Sequence, residues 1–233
     1  MAAEKPDRIE DRHTTVRLAY PRLGAMAILA VACFTACSPE GTTGSEENRP
    51  RFATTPSSCT QVARPIDGAI KSFAGSLYSS TVSIDDRGGV QQDIIHQHLS
   101  CSVSYFDRDG LPASRTQDQP KSRIVSLLIL RSTTDKSVEL AKNSFQKNFG
   151  EIANALKLPG IGDDAFIYDT EEPSVGTLRG TVRFRVSNVE IVVGATAGNS
   201  SQKLDTPSLK TEVRSTAEAM ARTLADNLDS VMR

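Results

Sequence analysis

A run of 14 residues without a charge, Leu23 to Ala36, divides this chain and limits what can fold. A membrane-spanning helix needs about 20 apolar residues, so the run is too short to cross a bilayer. It has the length of a signal-peptide core, and Arg12, Arg17 and Arg22 precede it as a basic flank. Residues 1–36 are therefore expected to be removed on export. The material for a fold is confined to the residues after Ala36. Outside the cytoplasm, cysteines in that part are free to cross-link.

The run ends in Phe34-Thr35-Ala36-Cys37-Ser38, which resembles the lipobox of bacterial lipoproteins. That pattern places small side chains just before a cysteine, because the signal peptidase admits only small ones there. The resemblance implies that the Cys37 thiol is diacylated before cleavage. Ala30-Val31-Ala32-Cys33 is the rival, and it would leave the apolar core short with Phe34 just after the cut. Diacylglyceryl and acyl chains on Cys37 would anchor the chain at the outer face of the cell membrane. Each buried methylene contributes about 0.8 kcal/mol to such an anchor. Of the 4 cysteines, Cys33 leaves with the signal and Cys37 becomes the anchor, so Cys59 and Cys101 remain. An even pair in an oxidising compartment is expected to bond. Closing that loop adds about 4 kcal/mol in the chain-entropy model.

Charge and aromatic content narrow the partners. Residues 1–36 hold five of the 27 Lys/Arg and four of the 28 Asp/Glu, which leaves 22 and 24 in the exported part. That balance offers no basic face for nucleic acid. The chain has no Trp, 4 Tyr and 8 Phe, too few for stacking platforms.

Residues 37–58 comprise the lipidated Cys37 and a tether rich in Ser, Thr, Pro, Glu and Gly, which cannot bury enough surface to fold. A single domain is expected over 59–233. Ile66, Ala69, Ile70, Phe73 and Leu77 have helical spacing over 66–78, with Pro65 suited to the first turn. Residues 79–97 are polar, carry Gly88-Gly89 and read as a loop. Leu99, Cys101, Val103 and Tyr105 alternate as a half-buried strand over 99–106. Ile124 to Leu130 is a run of apolar β-formers, expected as a central strand. Val138, Ala141, Phe145, Phe149, Ile152 and Leu156 fall on one face of a helix over 135–157, capped by Thr134 and stopped by Pro159-Gly160. A short strand at 165–168, a hairpin turning at Ser187-Asn188 and a last helix over 207–232 complete the order. Its face is Val213, Ala217, Met220, Leu224, Leu228 and Val231. Strands grouped in hairpins imply an α+β fold: an antiparallel sheet of about five strands with helices packed on it and one disulfide.

The lipobox, the polar tether, Pro56-Ser57-Ser58-Cys59, a strand at Cys101 and Leu158-Pro159-Gly160-Ile161-Gly162-Asp163-Asp164-Ala165 together resemble a known group. The chain is similar to actinobacterial lipoproteins of a domain-of-unknown-function family. In outline it is also similar to extracellular sensor domains of receptor-type serine/threonine kinases from the same bacteria. The likeness covers about residues 56–232. It implies an extracytoplasmic location and this fold, with no settled activity.

The patterns that carry chemistry are thin. His96-Gln97-His98 with Asp93 offers two ligands on one strand face, where zinc wants three or four. Asp107-x-Asp109-Gly110 opens like a calcium loop, without the later ligands. Gly160-Ile161-Gly162-Asp163-Asp164 follows a helix, lacks a Gly-Lys-Ser/Thr and puts carboxylates where a phosphate would sit, so it reads as a backbone turn. Ser144-Phe145-Gln146-Lys147 matches Ser-x-x-Lys without its partner motifs. No catalytic, cofactor or metal residues are assigned, and the chain is not expected to be an enzyme. The expectation is a non-enzymatic, tethered binding or sensor-like module for an envelope protein. The alternative is a carrier of a small apolar ligand such as a lipid, with Ile124 to Leu130 lining the cavity. A hydrolase built on Asp163 and Asp164 is the third reading.

Overall fold

Alternating and β-branched residues fill the middle of the chain, and they assemble as one antiparallel sheet. A computed structural model describes residues 49–86, 89–106, 121–172, 176–198 and 206–233. Its strands are β1 (Thr81–Asp86), β2 (Gln91–Gln92), β3 (His96–Phe106), β4 (Ser122–Ser132), β5 (Leu156–Lys157), β6 (Asp164–Glu172), β7 (Thr177–Val186) and β8 (Val189–Gly198). Seven run in the order β1-β3-β4-β8-β7-β6-β5, and β2 also pairs with β3. The helices are α1 (Cys59–Ala63), α2 (Asp67–Ala74), α3 (Ser137–Glu151) and α4 (Thr206–Val231). Short 3-10 turns stand at Arg64–Ile66 and Gly75–Ser80.

The α+β class, the antiparallel sheet and the Cys59–Cys101 bond match the sequence reading. The count of about five strands is too low. Two of the extra strands, β1 and β2, lie in the 79–97 segment read as a loop. Thr81-Val82-Ser83-Ile84 does alternate, but its polar half hid a strand that β3 templates from Thr81↔Tyr105 to Asp86↔Cys101. The third, β5, comes from the end of the expected long helix. That helix stops at Glu151, and Ile152 is already extended. Gly150 weakens the last turn, and Leu156 pairs with Ile167 instead of continuing the helical stripe. Thr134 is not the cap either. Its carbonyl accepts from the Ser137 N–H at 3.0 Å, and the helix starts after Lys136.

Residues paired across strands share a face, so the register separates two layers. One face carries Leu99, Cys101, Val125, Leu127, Ile191, Val193, Val182 and Phe184, all buried under α1, α2 and α4. The six-residue stripe expected for α4 is buried throughout. Full burial of a large apolar side chain stabilises by about 1.5–3 kcal/mol, so this stripe dominates the docking of α4. Gly180 lets the helix down onto β7: a Cβ there would stand 2.7 Å from the Val213 carbonyl carbon. The other face is partly covered by α3, whose Phe145 and Phe149 rings lie 5.0 and 5.3 Å from Phe166.

The β7–β8 hairpin turns at Ser187-Asn188 as expected, with Ser187 at φ 52°. Positive φ at the first turn position matches the twist of the flanking strands. Residues 49–58, expected in the tether, lie against the domain. Phe52 is buried, its N–H donates to Asn188 Oδ1 at 3.1 Å, and Asn188 Nδ2 donates back to its carbonyl at 2.9 Å. Thr54 Oγ1 donates to the Met232 carbonyl at 2.6 Å. One phenylalanine among polar neighbours was too little signal to show this.

Candidate binding pocket

Two cavities open between the layers, and they differ in chemistry. The first is lined on one side by a covalent link between a helix and the sheet. Ser58 caps α1 by accepting from the Gln61 N–H at 3.3 Å, and Cys59, the first residue of α1, bonds to Cys101 on β3 with Cα atoms 5.5 Å apart. Pro65 then turns the chain through the 3-10 segment into α2, whose Ile70, Phe73 and Ala74 are buried. Between these helices and β3–β4 remains a cavity of about 340 Å³. Its walls are apolar: the disulfide, Ala63, Ile70, Val103, Val125 and Leu127. Small-molecule sites start at roughly 300 Å³, so it holds one small group.

Polar atoms line part of it. Tyr78 donates its hydroxyl to Asp67 Oδ1 at 2.9 Å, and Lys71 pairs with Asp67 Oδ2 at 2.7 Å. The Lys71 ammonium, followed by the Tyr78 hydrogen bond, pulls the Asp67 carboxyl below its usual range. Asp67 in turn raises the pKa of both Tyr78 and Lys71. The Tyr78 ring stacks on Tyr105 at 5.6 Å. Tyr105 is only 4% exposed, and burial pushes its hydroxyl up to about 12, with Tyr78 and Asp67 adding to the effect.

The second cavity, about 460 Å³, lies between α3 and the turn at Pro159–Gly162. Here the acidic pair of the turn is already engaged. Arg185 Nη1 reaches Asp163 at 3.0 Å and Nη2 reaches Asp164 at 2.8 Å. Asp163 also accepts from the Ser187 N–H at 2.7 Å. The two carboxylates therefore clamp the turn to β7 through one guanidinium. Gly162 is required there: it sits at φ 58°, and a Cβ would meet Val186 Cγ2 at 2.9 Å.

The other singled-out residues take structural places. Asp93 accepts from the N–H groups of Ile95 and His96 at 2.8 and 2.7 Å, closing the β2–β3 turn. His98 Nε2 and Gln91 Oε1 lie 2.9 Å apart. Among the described residues, no group of three or more His, Cys, Asp or Glu is placed to hold a metal. Ser144 donates to Glu190 at 3.3 Å and accepts from Asn148 at 3.4 Å. Glu190 is buried beneath α3, its pKa raised by burial and pulled back by Arg183 at 2.8 Å; it lines neither cavity. Asp107, Asp109 and Gly110 lie outside the described residues, as do residues 1–48, including Cys37. Among the described residues, no helix is long and apolar enough to cross a membrane.

Ile124 to Leu130 reads in the sequence as core and, under the carrier alternative alone, as a cavity wall; Val125, Leu127 and Ile129 are in the core, and the first two also line the cavity. Sequence reasoning missed Arg64, Tyr78 and Tyr105, which carry no motif. The available signal was Ala63, a small residue one helical turn after Cys59, facing the strand that the disulfide holds. Comparison with known protein families, curated proteins and solved structures yields no match.

Proposed function

We propose that this chain is an exported lipoprotein, held at the outer face of the cell membrane by acyl chains on Cys37. Its domain is a non-enzymatic binding or sensor-like module of the cell envelope, and the cavity beside the Cys59–Cys101 bond is where it binds. The observation that carries the reading is that cavity: about 340 Å³, apolar-walled and braced by a disulfide. The lipobox at Cys37 and the likeness to actinobacterial lipoproteins support the location. The engaged state of Asp163 and Asp164 weighs against the hydrolase.

The test is mass spectrometry of the full chain isolated from envelopes of a host that processes lipoproteins. The N-terminal peptide should begin at an acylated Cys37, and Cys37→Ala should abolish that species. Intact protein sprayed without denaturation should carry a small apolar adduct that organic extraction removes. An unmodified Cys37 would sink the anchor, and a bare mass would sink the pocket. A second reading, docking of an envelope protein, is favoured by one feature. Val90, Ile94 and Ile95 project around the β2–β3 turn, with Ile94 96% exposed. Crosslinking from Ile94 on intact cells would then capture one partner.

A further inference from the structure

We infer that the ligand of the disulfide-braced cavity is an anionic amphiphile of the fatty-acid class: an apolar body with a single carboxylate head. This deepens the pocket reading and rests on it. Two polar groups on the cavity wall point to the head. Tyr105 is 4% exposed, and its hydroxyl has no hydrogen-bond partner among the described residues. The ring is buried but the hydroxyl oxygen is not sealed from solvent, so it is free to donate to a ligand that enters. Since Tyr105 lines the cavity, an acceptor on the ligand would supply what the fold does not.

The second group is Arg64. It lines the same cavity, is exposed, and has no ion pair or hydrogen bond among the described residues. The carboxylate on this wall, Asp67, is already neutralised by Lys71 and hydrogen-bonded by Tyr78. Arg64 is therefore an uncompensated positive charge beside an apolar hollow. A guanidinium binds a carboxylate with charge-assisted hydrogen bonds. An amphiphile that laid its chain along Val103, Val125 and Leu127 could place its head on Arg64 and Tyr105. A cationic amphiphile would meet repulsion from Arg64, and a neutral alcohol would accept a hydrogen bond without the attraction between opposite charges.

The experiment is photolabelling of isolated membranes bearing the full chain, with no metabolic source of acyl transfer. Two probes are compared: a diazirine analogue of lauric acid and the corresponding dodecanol analogue. Labelled peptides are mapped after digestion, and the Cys59–Cys101-linked peptide in the same digest reports folding of each variant. The acid should label the cavity walls about tenfold more than the alcohol, the scale of one charge-assisted hydrogen bond. Arg64→Gln should erase that preference and leave alcohol labelling unchanged. Tyr105→Phe should lower acid labelling by a smaller factor. Equal labelling by both probes, or an acid preference that survives Arg64→Gln, would overturn the head-group assignment and leave the pocket standing. Absence of cavity labelling by either probe would overturn both.

Discussion

The two cavities described above are alike in size and opposite in what their polar groups are doing. Under the Pro159–Gly162 turn, every feature that drew attention in the sequence is present: glycines, two aspartates and a neighbouring helix. Yet Asp163 and Asp164 are both on Arg185, and Gly162 is there because the backbone of β7 leaves no room for a Cβ. Beside the disulfide nothing looked like a motif. There an exposed arginine and the hydroxyl of a buried tyrosine ring, itself open to solvent, make no hydrogen bond among the described residues. A polar group that folding has already satisfied has little left to offer a ligand. Chemistry available for binding is read from what folding leaves unpartnered.

The largest effect that could break this contrast is loss of the covalent brace. Replacing Cys59 and Cys101 by alanine should cost about 4 kcal/mol, from reopening a loop of separation 42. Urea unfolding measures it, and the double variant should also lose ligand at the first cavity. Retention of binding without the bond would show that the disulfide does not shape the pocket.

Next is the clamp of the second cavity. Arg185→Ala strands two half-exposed carboxylates, and solvent screening limits the cost to about 1–2 kcal/mol. Hydrogen exchange should quicken over residues 159–165, while binding at the first cavity stays as it was. A change in binding would mean that the two cavities are coupled. Asp163→Asn with Asp164→Asn should behave in the same way, altering stability alone.

The register and the α4 stripe were legible because each is a repeat: alternation with period two and a helical stripe of large side chains. Elements with few or mixed residues were not. β2 and β5 are two residues each and exist only because a longer strand lies beside them. β1 has polar residues at four of its six positions and needs β3 as template. The docking of Phe52 depends on Asn188, 136 positions away. The strand behind the pocket was legible as a central one, since a run of apolar β-formers has to be covered. The polar wall was not, because Arg64 follows α1 and Tyr105 lies on β3, and the Cys59–Cys101 bond joins those two elements across 42 positions.

A smaller effect concerns Tyr105. Its hydroxyl titrates near 10 in an unfolded chain and is pushed up to about 12 by burial. The folded state therefore holds its proton longer. Stability from this group is intact below pH 10 and falls as pH rises through 12. Tyr105→Phe should flatten that alkaline loss, followed by tyrosinate absorbance and unfolding together. The smallest change is at Lys71→Ala. Asp67, lowered mainly by Lys71, should titrate closer to its ordinary 3.8, seen by NMR of its carboxyl carbon. Little change in folding is expected, because the pair is exposed.

If the cavity beside Cys59–Cys101 holds the ligand, filling that cavity from its own wall must expel it. Ala63→Leu puts a branched side chain into a space of about 340 Å³ without touching the second cavity. Native mass spectra of the two proteins, isolated side by side from envelopes, would be compared. The expected result is an extractable adduct on the parent chain and a bare mass for Ala63→Leu. An adduct that persists on Ala63→Leu would contradict binding at this cavity and place the ligand elsewhere on the molecule.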